Sequence, residues 1–324
     1  MSSFLTTLKT ETKENKNHMR IVSLRNVVNF DFLHELSYLE NRIQSLRNST
    51  WNPLIFPSLE GILDTSYGIL SPQEVRAMSG WPLSQQDFGQ KQGELDFISI
   101  RAENGFNNQA VNINTKHWLT CDIFLSLEYL KTFQFFKNLK FSDRFILAKD
   151  VTILVQTLTF VYTSFEAKSD CFKTPDGCFF DVLSLLQVLR MFNGTSLNQT
   201  TQVFKNHIKS SQNIFSTLIR EKITKTEYIL LKALAIFCGS NFCKLSDDAQ
   251  KIMALEKQKY VRALFEHLKM RPDRLLVLLS WLNLILVHQK SLSKFMEFMR
   301  MFSGYRMAES IRKLEDLVLG IEKN

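Results

Sequence analysis

Chain breakers and cross-links are what this 324-residue sequence has least of: it holds 11 Gly, 6 Pro and 5 Cys. So few breakers exclude a fold of many short strands and tight turns, and they leave long helices as the natural reading. The cysteines (Cys121, Cys171, Cys178, Cys238, Cys243) are odd in number, sit on mostly apolar positions, and are missing from residues 1–120. That argues against a disulfide framework, and against zinc modules ahead of residue 120, since these need closely spaced sets of four ligands. Cys238 and Cys243 lack a second pair, so they read as thiols and not as metal ligands. Residues 1–20 are polar and charged, with no apolar signal segment, so a reducing, intracellular setting is expected. The longest apolar run, Leu275 to Val287, is interrupted by Ser280 and Asn283 and falls short of the ~20 residues that cross a bilayer. No membrane association is expected. Nor is there a Gly-rich phosphate loop, a paired-His motif or a nucleophile elbow. Neither an enzyme nor a cofactor is expected. Repeats are absent too, which weakens a solenoid reading.

Charge is lacking in one place that matters. The net charge is +8, yet residues 1–84 hold eight basic and eight acidic side chains. The whole excess lies in 85–324. A basic N-terminal arm is missing, and direct DNA binding by this chain is not expected.

What is present is a 45% hydrophobic content with 27 Phe, and a length that can bury a large core without disulfides or metals. The chain is organised around Trp118 to Phe165. Leu119, Ile123, Leu127 and Leu130 recur at three and four, which predicts one apolar stripe on a surface helix. A break follows over 138–142. Ser142 stands where a helix cap would, and Asp143 suits a positive helix N-terminus. From Phe145 to Phe165 the chain is apolar nearly all round, the mark of a buried helix.

The same periodicity predicts a helix from Phe32 to Leu46, a short one over 182–192, and long ones over 201–223, 226–237 and 246–270. Pro272 opens another that runs towards Phe302, and a last helix covers 307–319. Thr174-Pro175-Asp176-Gly177 is a turn signal between Phe172 and Phe179. The fold class is all-α.

The pattern Lys131-x4-Phe136-x2-Leu139-x3-Asp143-x5-Lys149 resembles the signature of nuclear receptor ligand-binding domains. Gln134 and Arg144 replace the usual Pro and Gln. Lys225 to Leu234 is similar to the eighth helix of that family. Leu39-Glu40, Leu59-Glu60 and Gly80-Trp81-Pro82-Leu83 resemble the hinge of its large nematode branch. The resemblance implies a three-layer antiparallel helical sandwich over 85–324, with a small β-turn, and a hinge-like segment with one helix over 1–84.

It also implies sites. Ligand is expected near Leu119, Asp122, Gln156, Thr157, Phe160 and Thr163. Many receptors carry an arginine at the position of Thr163, but no Arg or Lys occurs from Val151 to Ala167, and a buried unpaired carboxylate is costly. A small apolar ligand, or none, is therefore expected. Coregulator peptides of LxxLL type are expected in a trough lined by Phe145, Ala148 and Lys149, a helix-in-groove mode. An exposed Lys131 would hold the peptide's C-terminal carbonyls, and Glu315 its N-terminal amides. Arg312 and Lys313 depart from the apolar pair usual before that glutamate. Leu275, Leu279, Leu282 and Leu286 would face a homodimer or a second nuclear receptor. The expected role is nuclear transcriptional regulation without a DNA-binding domain in this chain. The competing reading is a helical carrier of lipids or small molecules with no transcriptional role.

Overall fold

A helix forms where apolar residues recur at three and four and no breaker intervenes. The computed structural model describes residues 32–48, 58–64, 118–175, 179–180, 197–239, 241–269, 271–302 and 318. The elements are α1 (32–47), α2 (Leu59–Asp64), α3 (Trp118–Thr132), α4 (Gln134–Lys137) and α5 (Phe141–Glu166). After β1 (Phe172–Lys173) and β2 (Phe179–Phe180) come α6 (Leu197–Glu221), α7 (Lys225–Ala235), α8 (Asp247–His267) and α9 (Pro272–Phe302). Phe172 pairs with Phe180 and Lys173 with Phe179, antiparallel, across the expected turn. Everything else regular among the described residues is helical.

The helices stack in three layers. α5 is the shared partner, packing on α3 and α2 and also on α7, α9 and α6. Val151, Ile153, Val155, Leu158 and Val161 are wholly buried on several sides of α5, as its unbroken apolar run requires. α6 lies along α9, where the buried Trp281 donates its indole N–H to the Ile214 carbonyl at 3.3 Å. Tyr162 of α5 stacks on Tyr228 of α7 with centroids 4.0 Å apart and planes 1° from parallel.

Several expectations change. α5 begins at Phe141 behind Lys140, which makes no side-chain cap, so Ser142 is not the N-cap. Asp143 is buried because its carboxylate accepts from the Ser246 backbone N–H (2.8 Å) and hydroxyl (2.7 Å), fixing the start of α8. α3 is not a surface helix: Asp122, Ser126, Glu128 and Lys131 are buried along with its apolar stripe. Its polar side chains go inside because each finds a partner there. α9 continues through Ser280 and Asn283 without a break. Both α5 and the Pro272–Phe295 part of α9 are therefore long and apolar enough to cross a membrane. The α5 window is 72% buried within the protein and the α9 window 28%. In α9 the inward face is Leu278, Trp281, Leu282 and Ile285, whereas Leu276, Leu279 and Val287 are exposed. Leu282 thus leaves the expected outward stripe.

α1 belongs to the same core. Leu36, Leu39, Ile43 and Leu46 are buried, and two ion pairs hold the helix down. Lys232 Nζ lies 2.7 Å from Glu40 Oε2, both side chains being 1–2% exposed. Arg47 makes the second, to Asp122. The expected boundary between residues 84 and 85, the 182–192 helix and most of the 307–319 helix lie outside the described residues, although Val318 is helical and buried.

Between α6 and α9 sits a closed aromatic cluster. The His207 and His288 rings are 4.9 Å apart, with Phe295 stacked on His207 and Phe172 on His288. Ser210 Oγ is 2.8 Å from His288 Nδ1.

Candidate functional site

The residues expected at the two sites fall in two places. The first is the expected ligand region, where α3 and α5 bring Asp122 and Thr163 to one guanidinium. Arg47 Nε and Nη2 donate to Asp122 Oδ1 (2.8 Å) and Oδ2 (3.1 Å), a two-pronged pair. Its Nη1 donates to Thr163 Oγ1 at 3.2 Å, and the guanidinium carbon lies 5.1 Å from the centre of the Phe160 ring. Gln156 and Thr157 are buried, with Thr157 Oγ1 donating to Gln156 Oε1 at 3.4 Å. The cation missing from 151–167 is thus supplied by α1. The side chain of Leu119 lies outside the described residues.

The second place is the surface that α3 and α5 offer near Lys131. Ala148 is buried, Phe145 half-buried and Lys149 exposed; Glu315 lies outside the described residues. Lys131 is not exposed as expected but only 8% accessible. Its ammonium donates to Glu128 Oε1 and to the Ile62 carbonyl, both at 2.8 Å. Arg144 Nη1 donates to the next carbonyl, Leu63, at 3.3 Å. The end of α2 is therefore received by two cations, which complement the negative end of a helix.

α2 was missed by the periodicity reading because six residues give barely two turns. A signal was there. Leu59, Ile62 and Leu63 recur at i, i+3 and i+4 and are 1–2% exposed. Ser58 precedes them, and its hydroxyl accepts from the Gly61 N–H at 3.2 Å. Arg47 and Arg144 were also missed, since their partners lie 75 and 81 residues away in sequence.

A three-layer helical sandwich with a buried signature helix and a helix-receiving surface defines a ligand-binding domain of the nuclear receptor type. The sequence profile for the ligand-binding domain of nuclear hormone receptor matches residues 109–302, and the chain belongs to that family. It is 30% identical over 241 residues to nuclear hormone receptor family member nhr-60 of Caenorhabditis elegans, covering 74% of this chain and 49% of the relative. From the same organism, nhr-136 is 25% identical over 185 residues (55% and 39% covered) and nhr-153 is 30% identical over 172 (51% and 38%). The chain spans about half the length, or less, of these curated relatives. Members of the family are generally ligand-regulated transcription factors without enzymatic activity.

Proposed function

We propose that this chain is a nuclear transcriptional regulator that recruits coregulator peptides of LxxLL type through the α3–α5 surface around Lys131. The observation that carries this reading is the pair of hydrogen bonds from Lys131 and Arg144 to the terminal carbonyls of an apolar helix. A surface that seats such an end has the chemistry to hold a partner's helix in the same way. The ligand is small and apolar, or there is none. Asp122 and Thr163 are already bonded to Arg47, and an entering carboxylate would compete with Asp122 for that guanidinium.

Charge-assisted hydrogen bonds contribute on the order of 1.5–3 kcal/mol each. Lys131 also holds the Ile62 carbonyl, so the comparison is made with Leu59→Ala and Leu63→Ala in every chain. There Lys131→Ala weakens an LxxLL peptide about tenfold or more in a fluorescence titration, whereas the exposed Lys149→Ala changes it less. Because Lys131 is buried and bonded to Glu128, its loss also lowers the melting temperature. Equal peptide affinity with and without Lys131 in that background would sink the groove assignment.

Dimerisation belongs to the same reading. Leu276, Leu279 and Val287 are 66%, 45% and 51% exposed on α9, large apolar side chains left for a partner to cover. The proposed cover is a second copy or another nuclear receptor, and contact with DNA is assigned to that partner. Leu276→Glu combined with Leu279→Glu shifts a dimer to monomer in sizing at micromolar concentration. A wild-type chain that is monomeric alone and with candidate receptors overturns the assignment.

A further inference from the structure

We propose that α2 is an intramolecular occupant of the coregulator groove, so that a partner helix gains entry only by displacing it. This rests on the groove reading above and deepens it. α2 buries Leu59, Ile62 and Leu63 at i, i+3 and i+4, the spacing by which a short amphipathic helix fills a trough. It lies on α3 and α5, the two helices to which the groove is assigned. Glu60 and Asp64 are exposed, so its outer face is polar. Its terminal carbonyls at Ile62 and Leu63 are received by Lys131 and Arg144, as the groove reading requires of a partner's helix.

The features that make α2 fit also make it removable. A helix of six residues does not hold together on its own, so its order comes from the groove. α2 is held on α5 and α3. By contrast α1 is fastened by two buried ion pairs. While α2 is seated, only the open fraction of molecules binds a partner, and the apparent dissociation constant rises as the inverse of that fraction.

The experiment uses the full chain with Leu59→Ala and Leu63→Ala together, an LxxLL peptide, and a labelled peptide of residues 56–65. The double variant is expected to bind the LxxLL peptide about tenfold more tightly than wild type, as an open fraction near one tenth implies. It also binds the 56–65 peptide, and the two peptides compete. In wild type, saturating LxxLL peptide speeds amide hydrogen exchange at 59–64, a readout that stands even if the double variant fails to fold. Tight wild-type binding with no change in exchange at 59–64, or peptides that bind without competing, overturns the proposal and leaves the groove reading intact. If the 56–65 peptide binds the double variant and LxxLL peptides bind neither protein, α2 fills the groove but the coregulator reading fails. If the double variant keeps a cooperative melt and binds neither peptide, both fail.

Discussion

Replacing Lys232 by Ala lowers the unfolding free energy by about 3–5 kcal/mol, because it strands a buried carboxylate. Glu40 accepts from Lys232 Nζ at 2.7 Å and from the Gln44 amide and the Tyr228 hydroxyl at 2.9 Å each. Burial alone pushes the Glu40 carboxyl up, but the charge and hydrogen bond of Lys232 with the other two donors hold it below the usual range. The Lys232 ammonium is drawn the other way, down by burial against the pull of Glu40. With three donors upon it, the carboxylate is the charged anchor. The ammonium also lies 4.6 Å from the centre of the Tyr129 ring, which adds a cation–π contact. Urea unfolding should show the full loss in Lys232→Ala and recovery of most of it in Glu40→Leu with Lys232→Met, since an apolar pair of similar volume carries no desolvation cost. A loss below about 1 kcal/mol in the single variant would mean that water reaches Glu40, contrary to its 2% exposure.

Stability should also fall steeply in mild acid, through the His207–His288 cluster. Burial pulls His207 down to about 4, and burial with the neighbouring His207 pulls His288 down to about 3. Both folded values lie below the unfolded 6.5, so the unfolded chain binds more protons between them. The stabilisation is whole above pH 6.5 and is lost as pH falls towards 4 and then 3. Each histidine contributes a slope of about 1.4 kcal/mol per pH unit, so the pair gives nearly 3. His207 Nδ1 has no hydrogen-bond partner among the described residues, and its ring stacks on Phe295 at 4.3 Å. His207→Phe therefore keeps the stack, loses no bond from Nδ1 and should halve the slope in denaturant titrations from pH 4.5 to 7.5. An unchanged slope in that variant would place the acid sensitivity elsewhere.

Much of the fold was legible because its signals are local. The all-round apolar run of α5 and the turn signal between the paired strands β1 and β2 each sit within a few residues of what they cause. At α7 a local signal was passed over: Thr224 and Glu227 cap each other's backbone N–H groups, reciprocal bonds that a T-x-x-E spelling announces, and the helix starts at Lys225, one residue before the expected 226. What stayed hidden depends on partners far along the chain. Lys131 reads as an exposed cation until Ile62, 69 residues earlier, is brought to it. Asp122 and Thr163 read as ligand contacts, but nothing near either shows that Arg47 will bond both. The same holds for Leu282 against Leu279: both fit one stripe, and only the packing of α6 on α9 decides which turns inward.

The tie between α1 and α7 also sets an order of events during synthesis. Glu40 leaves the ribosome 192 residues before Lys232. At about 5–20 residues per second the delay is roughly 10–40 s. Through that interval the face of α1 bearing Leu36, Leu39, Ile43 and Leu46 has no α7 to meet, and its carboxylate has no cation. Nascent chains halted before residue 232 should therefore leave α1 open to protease and to chaperones that bind apolar helices. Chains released beyond α7 close it in a single late step.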